Sequence, residues 1–191
     1  MVSKVLIYGA GAIGRGYLGP LMQKHGVSIS FVDINERLIS ELKLRKSYKT
    51  AITGLTNYEF TNVSVEAAFV FGEKIKVNDY DLIFCCVGPS NCYDLAEDLK
   101  MAKSIISCEN DMATVKGLQE LTGNKNIFFG IPDVITSNTA PAELLDEDSL
   151  MTVTEKGVLI LEKGNYKLPS EIPQVSQNEL NMHWMCKLFI H

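Results

Sequence analysis

Three glycines near the amino terminus have the spacing of a phosphate-binding loop. They lie in the string GAGAIG at residues 9–14, directly after a short apolar run at residues 5–8 and at the start of a helical pattern. Gly9 would permit a tight turn, Gly11 the close approach of backbone to a pyrophosphate, and Gly14 the close packing of helix on strand. Because the free N–H groups of the helix start would hold the anion, the pattern predicts a dinucleotide site built from backbone.

The carboxylate of Asp33 supplies the second part of this pattern. Asp33 lies 19 residues after Gly14, at the end of a predicted strand over residues 28–32. A carboxylate there accepts hydrogen bonds from ribose hydroxyls and repels a 2′-phosphate, so it favours NAD over NADP. Its alternative role is the N-cap of the following helix, and both roles can hold together. Arg37, one turn later, would favour the phosphate, but a surface helix arginine is usually just solvated. Arg15 either reaches a phosphate or faces water.

Alternating strands and helices must position these residues. The apolar runs predict strands at 5–8, 28–32, 81–87, 104–108 and 127–131, and helical patterns separate them. Gly88 and Pro89 follow the run at 81–87, at the strand end where open α/β sheets bind ligands, or they form a plain turn. Strands are also predicted at 48–53 and 57–63, a helix near 64–71, a β-hairpin within 150–161 and a last helix from about Gln177. The fold class is therefore α/β, a doubly wound, mostly parallel sheet with a hairpin-like extension and a final helix.

Composition narrows the possible partners. The 191 residues carry a formal net charge of −5 and have no apolar run long enough for a membrane span, so nucleic-acid and membrane surfaces are not expected. The five cysteines form no CxxC pair, which is typical of reduced thiols in a cytoplasmic protein. Cys85 and Cys86 point to opposite faces of a strand, and His25 and His183 have no ligand partners at useful spacing, so no metal is expected.

The string YGAGAIGRGYLG at residues 8–19 resembles the opening of the polyol-specific long-chain dehydrogenases of the mannitol-1-phosphate 5-dehydrogenase type. Later strings agree in the same order: FVDIN at 31–35, SY at 47–48, VGP at 87–89, CEN at 108–110 and KLF at 187–189. The resemblance implies a Rossmann amino-terminal domain, a mostly helical substrate domain, and NAD-dependent, metal-independent oxidation of a polyol. We therefore expect residues 1–175 to form the NAD-binding domain with its extension, and residues 176–191 to begin a substrate domain that is otherwise missing.

The resemblance also implies roles for three residues. Lys187 matches the family's general base, Asn110 an asparagine that polarises the reacting carbonyl, and Asp133 a substrate-binding aspartate. Val134 replaces the arginine that follows this aspartate in the family. The family's later asparagine and histidine fall beyond residue 191 by spacing. Without the resemblance, Lys187 would be a solvated helix residue, Asn110 a helix cap and Asp133 a turn residue.

The expected function is the oxidation of a hexitol or hexitol phosphate to a ketose. The alternatives are an NAD-binding module without turnover and a uronate-type sugar-acid reductase of the same family. A polyol or sugar phosphate is the expected small-molecule partner, and the exposed apolar face of the last helix, with Trp184 and Leu188, predicts self-association. The residues expected to bind the cofactor are Gly9, Gly11, Ala12, Ile13, Gly14, Asp33, Gly88 and Pro89.

Overall fold

Two sheets organise the chain. The computed structural model describes residues 1–54, 57–109, 111–137 and 140–190, with side chains as far as residue 185. The strands of this part are β1 (Lys4–Tyr8), β2 (Ser28–Asp33), β3 (Ser47–Thr53), β4 (Tyr58–Ser64), β5 (Ala67–Val70), β6 (Leu82–Cys85), β7 (Ile105–Ser107), β8 (Ile127–Asp133), β9 (Thr136–Ser137), β10 (Thr152–Thr154), β11 (Val158–Glu162) and β12 (Gln174–Val175). The α-helices are α1 (Gly19–Lys24), α2 (Glu36–Arg45), α3 (Ala96–Leu99), α4 (Met112–Thr122), α5 (Ala142–Glu147) and α6 (Gln177–Ile190).

The larger sheet has the strand order β12-β11-β8-β7-β6-β1-β2-β5. Its strands from β8 to β5 are all parallel, and β11 is antiparallel to β8. The chain leaves β1 towards β2 and β5 on one side, and then returns to β6, β7 and β8 on the other. The topological switch point therefore lies between β1 and β6, where doubly wound sheets bind dinucleotides. This order confirms the predicted α/β fold class.

The parallel strands are mostly apolar because both of their faces are covered. Ile7 and Phe31 belong to the core on one face, and Leu6 and Val32 to the core on the other. None of these four side chains is more than 1% exposed. A near-continuous apolar run is therefore the pattern that such a strand needs, in contrast to the alternating pattern of a sheet with one wet face.

The helix after the glycine loop is wound in two ways. It begins as a π-helix over Ala12–Leu18 and continues as α1. At the junction the N–H of Gly19 donates to the carbonyl oxygen of Gly14, five residues earlier. Pro20 follows and has no N–H, so the helix offers no donor from this position to the carbonyl groups one turn before it.

Hydroxyl groups of β3 lie against two of these carbonyl groups. The hydroxyl of Tyr48 donates to the carbonyl oxygen of Arg15 over 2.7 Å, and that of Thr50 lies 3.4 Å from the carbonyl oxygen of Gly16. Both side chains are buried. The smaller sheet, with the order β4-β3-β10-β9, is thereby joined to the helix that begins at the glycine loop.

Two further glycines allow this sheet to approach the helix. A Cβ atom on Gly16 would lie 2.8 Å from Cγ2 of Thr154, and one on Gly19 would lie 2.2 Å from the hydroxyl of Tyr48. Only glycine fits at both positions, since real Cβ atoms do not approach other atoms so closely. The string GRGYLG at residues 14–19 therefore serves helix packing as well as the loop.

Two predicted elements are wrong. The helix expected near residues 64–71 is strand β5, which pairs in parallel with β2 at the edge of the larger sheet. A short apolar run suits a strand or a helix equally, and pairing with β2 decides between them. The hairpin expected within residues 150–161 does not form, because β10 pairs with β3 and β9 whereas β11 pairs with β8 and β12. The two strands exist, but they belong to different sheets.

The last helix packs against the protein's own core. Leu180 is fully buried in the cluster on one face of the larger sheet, and Trp184 packs against the same cluster. The expectation that Trp184 lies on an unpartnered face is therefore wrong, while the side chain of Leu188 lies outside the described residues. Met182 and Met185 are the exposed large apolar residues of the described part of this helix.

Candidate dinucleotide site

The glycine loop closes tightly over the end of β6. Gly9 has a φ of +93°, and a Cβ atom there would lie 2.2 Å from the carbonyl oxygen of Cys86. Gly14 faces back onto the loop, since a Cβ atom there would lie 1.9 Å from the carbonyl oxygen of Gly9 and 3.2 Å from Cγ2 of Ile7. The turn and the close helix–strand packing expected from the sequence are both present.

Two charged side chains fix the peptide groups at Ala10, the buried crest of the loop. A carboxylate oxygen of Asp33 accepts a hydrogen bond from the N–H of Ala10 over 2.7 Å. On the other side, Nε of Arg15 donates to the carbonyl oxygen of Ala10 over 2.5 Å. The second oxygen of Asp33 accepts from the N–H of Asn35 over 2.9 Å. Each carboxylate oxygen of Asp33 keeps a lone pair for a further donor such as a ribose hydroxyl.

The N-cap role considered for Asp33 belongs to Asn35 instead. The side-chain oxygen of Asn35 accepts a hydrogen bond from the N–H of Leu38 over 3.1 Å at the start of α2. Asp33 therefore precedes the cap by two residues and remains at the carboxyl end of β2. Arg37 on the same helix is 90% exposed, and its Nε lies 3.7 Å from a carboxylate oxygen of Glu41.

Arg15 is buried and bonds to backbone carbonyl groups rather than facing water. Its guanidinium group is buried, donates to the carbonyl oxygen of Leu150 as well as to Ala10, and lies 5.8 Å from the centre of the Tyr48 ring. Burial lowers the pKa of this arginine from its ordinary value, with the nearby Asp33 and Asp148 among the groups that oppose the change. The expectation that Arg15 faces water is therefore wrong, and the residue joins the glycine loop to the segment that precedes β10.

A cleft of about 350 Å³ opens at the switch point. On the β2 side it is lined by Asp33 together with Ile34 and Phe71, whose side chains are 80% and 37% exposed. On the β6 side it is lined by Val87 and Asn91. Of the residues expected to bind the cofactor, Gly9, Gly11 and Asp33 line this cleft, whereas Ala12, Ile13, Gly14, Gly88 and Pro89 are not among its lining residues.

The turn after β6 is held by a carboxylate that the sequence analysis missed. The two oxygens of Glu109 accept hydrogen bonds from the N–H groups of Val87, over 2.6 Å, and Gly88, over 3.0 Å. Asn91 holds the same turn from the other side by donating to the carbonyl oxygen of Val87 over 2.6 Å. Gly88 adopts a φ of +93°. Burial raises the pKa of Glu109, and the two N–H groups and the thiol of Cys92 oppose this change.

Of the residues expected to act on a substrate, only Asp133 has a side chain that the structure describes. Asp133 ends β8, and one of its carboxylate oxygens lies 4.0 Å from Nε2 of His183 on α6. Lys187 belongs to α6, four residues after His183, and its side chain is outside the described residues. Asn110 lies outside the described residues altogether.

The comparison with protein families identifies the family to which the chain belongs. The model of the mannitol dehydrogenase Rossmann domain matches residues 3–123, which include the glycine loop, Asp33 and Glu109. The chain belongs to the mannitol dehydrogenase family. A curated relative is the mannitol-1-phosphate 5-dehydrogenase of Enterococcus faecalis, which is 29% identical over 171 residues. The match covers 78% of this chain and 44% of the relative, so the chain spans less than half the length of that protein.

Solved structures share the fold of this mannitol dehydrogenase family member at low identity. The 2-dehydropantoate 2-reductase of Geobacter metallireducens is 17% identical, with a TM-score of 0.60 over 95% of this chain and 55% of that one. A D-mandelate dehydrogenase with NADH bound is 16% identical, with a TM-score of 0.62 over 83% and 47% of the two chains. A yersinopine dehydrogenase with NADP⁺ bound is 15% identical, with a TM-score of 0.59 over 84% and 41%.

Two negative findings concern the described part of this family member. No group of three or more His, Cys, Asp or Glu residues there is arranged to hold a metal ion. None of the helices there combines the length and the apolarity that a membrane span requires.

Arg15 and Glu109 are two of the site residues that sequence reasoning missed or misjudged. Each makes a contact far along the chain, Arg15 with Leu150 and Glu109 with Val87, which no local pattern indicates. Both belong to strings that carry the family resemblance, GRG at 14–16 and CEN at 108–110. Their place within those shared strings was the available signal.

Proposed function

We propose that the chain is the cofactor-binding part of an NAD-dependent dehydrogenase that oxidises a secondary alcohol of a hexitol or hexitol phosphate to a ketose. The observation that carries the proposal is the pairing of the glycine loop with Asp33 in one cleft at the switch point of the sheet. Membership of the mannitol dehydrogenase family supports the class of alcohol. The proposal divides the chain into a cofactor domain over residues 1–175 and the first helix of a substrate domain over residues 176–191.

We expect a dinucleotide to lie across the cleft with its adenosine end at β2 and its nicotinamide end at β6. Gly11 and the start of the π-helix offer backbone N–H groups to a pyrophosphate, because the first N–H groups of a helix have no partner within it. Asp33 is then on the side of the adenosine ribose, and the exposed Ile34 and Phe71 offer apolar surface to the adenine ring. The remaining half of the dinucleotide extends over β6, where Val87 lines the cleft.

The charge of Asp33 favours NAD over NADP. Relatives in fold bind NADH in one case and NADP⁺ in another, so the fold itself leaves the choice open. Asp33 accepts two backbone hydrogen bonds as a carboxylate and would face a 2′-phosphate with a like charge. Arg37, the cation nearest in sequence, is directed towards Glu41.

The proposed chemistry needs a base and a donor besides the cofactor. A nicotinamide bound in the cleft would supply the acceptor for the hydride of the carbinol carbon. Lys187 takes the hydroxyl proton, which a lysine does well when burial lowers its pKa towards neutrality. Asn110 donates a hydrogen bond to the oxygen as it becomes a carbonyl, and Asp133 holds a neighbouring hydroxyl of the polyol.

Two measurements test the proposal. Titration of the 191-residue chain with NADH tests the cofactor site, and we expect saturable binding. Formation of NADH from NAD⁺ and mannitol 1-phosphate is then assayed with this chain and with a version extended by the downstream genomic sequence. Binding without turnover in either version would establish the NAD-binding module instead, and absence of binding would refute the dinucleotide site itself.

A further inference from the structure

The carboxylate of Glu109 bonds to the turn after β6, which borders the part of the cleft that the proposed function leaves for the nicotinamide. The glycine loop follows β1, and Asp33 at the end of β2 takes the adenosine side. The other half of a dinucleotide must therefore lie over the ends of β6 and β7. Val87 and Gly88 follow β6, Glu109 follows β7, and these two strands are neighbours.

Glu109 is bonded as an ionised group. One of its oxygens accepts from the N–H of Val87 and lies 3.4 Å from the thiol sulfur of Cys92, and the other accepts from the N–H of Gly88. Each oxygen accepts a backbone N–H, a set of bonds that favours the carboxylate over the carboxylic acid and opposes the rise in pKa that burial causes. The side chain is partly buried, so solvent screens its charge less than that of a surface carboxylate.

The two forms of the cofactor differ in charge at this end. The nicotinamide ring carries a positive charge in NAD⁺ and none in NADH. A negative charge behind the ring therefore stabilises the oxidised form and does not act on the charge of the reduced form. We propose that Glu109, through its bonds to the Val87–Gly88 turn, favours the binding of NAD⁺ relative to NADH. This inference rests on the proposed function and concerns the balance between the two forms of the bound cofactor.

The test compares variants by the ratio of the two dissociation constants. Glu109→Gln keeps the size of the side chain and removes its charge, and we expect it to weaken NAD⁺ binding about tenfold more than NADH binding, a difference of about 1.4 kcal/mol. Asn91→Ala loosens the same turn without changing charge, so it should weaken both forms by a similar factor. Glu120→Gln removes a carboxylate from the exposed face of α4 and should change neither constant. Calorimetry with NAD⁺ and NADH gives both constants for each variant.

The outcomes distinguish an effect of the charge of Glu109 on NAD⁺ binding from a purely structural role in the turn. If Glu109→Gln weakens both forms equally, as expected for Asn91→Ala, Glu109 only supports the turn and the inference is wrong. If Glu109→Gln does not fold, Glu109→Asp keeps the charge but withdraws it from the turn, and the preference for NAD⁺ should fall by a smaller factor; an unchanged ratio overturns the inference. Failure of the unmodified chain to bind either form would instead refute the proposed function.

Discussion

The hydroxyl of Tyr48 donates a hydrogen bond to the carbonyl oxygen of Arg15 over 2.7 Å. The bond replaces one that the helix itself does not supply, because the helix is π-wound at this point and Pro20 has no N–H. It also links β3 of the smaller sheet to the residue whose guanidinium holds Ala10 in the glycine loop. Arg15 therefore connects the glycine loop to the smaller sheet.

Removal of the Tyr48 hydroxyl should destabilise the protein. In Tyr48→Phe the buried carbonyl of Arg15 loses its donor, and an unsatisfied buried acceptor costs about 1–3 kcal/mol. Urea unfolding gives the change in the free energy of unfolding. Tyr58→Phe is the matched control, since the side chain of Tyr58 is exposed at the edge strand β4, and a change there within about 0.5 kcal/mol is expected. Equal effects of the two substitutions would contradict the role of the Arg15 carbonyl.

The glycine loop should not tolerate a side chain at Gly9. Gly9→Ala combines a positive φ with a Cβ atom 2.2 Å from the carbonyl oxygen of Cys86, so the loop and the end of β6 must separate. Gly26→Ala is the control, because Gly26 also has a positive φ but has no atom within 4 Å of a Cβ. We expect Gly26→Ala to cost about 1–2 kcal/mol from the left-handed conformation alone. Gly9→Ala should cost more and also abolish NADH binding, as measured by unfolding and by titration.

Substitution of Asp33 should change the choice of cofactor. Asp33→Asn keeps an oxygen that can accept from the N–H of Ala10 but removes the charge that would repel a 2′-phosphate. We expect NADH to bind more weakly and NADPH to bind better relative to NADH, by about tenfold in the ratio of their dissociation constants. Glu36→Gln, at an exposed carboxylate on α2, should leave the ratio unchanged. If Asp33→Asn weakens NADPH more than NADH, the assignment of this carboxylate is wrong.

Asp148 should make stability depend on pH in the acid range. Burial opposes its ionisation, but hydrogen bonds from the N–H of Leu150, from Arg45 and from the N–H of Lys49 outweigh burial and lower its pKa. The unfolded chain therefore takes up a proton at this group at higher pH than the folded protein does. The stabilisation is present above the unfolded pKa of about 4 and is lost as pH falls through the lower folded value.

The measurement for Asp148 is the free energy of unfolding in urea between pH 7 and pH 3. Asp148→Asn should be less stable than the unmodified protein at pH 7, and the difference should shrink towards pH 3. Asp146→Asn, at an exposed residue of α5, serves as the control and should follow the unmodified protein. A difference that stays constant with pH would show that the charge of Asp148 does not contribute.

Replacement of Lys187 should separate binding from turnover. Lys187→Met removes the proposed base, and general base catalysis contributes about 10²–10⁴ in rate. We expect NADH formation from mannitol 1-phosphate by the extended version to fall at least about 100-fold, with an unchanged dissociation constant for NADH. Lys125→Met, at an exposed lysine after α4, should retain full activity. Full activity of Lys187→Met would exclude this lysine as the base.

The features that could be predicted from the sequence are those that depend on residues close together along the chain. The apolar strands, the turn at Gly9 and the place of Asp33 follow from local patterns, because a parallel strand needs both faces apolar and a positive φ needs glycine. The role of Gly19 was missed because the atom that excludes a side chain there belongs to Tyr48, on another sheet. Glu109 was missed for the same reason, since its partners follow a different strand. The strand β5 was taken for a helix because its four residues carry no period of their own.

The hydrogen bonds of Arg15 to three other residues have a consequence for amide hydrogen exchange. Its guanidinium binds the carbonyl oxygens of Ala10 and Leu150, and its own carbonyl binds Tyr48. A ligand that immobilises the loop at Ala10 therefore also opposes the local opening of β3 and β10, although it touches neither strand. Amides of the smaller sheet would then exchange more slowly when the cleft is occupied, so their exchange rates would report whether a ligand is bound.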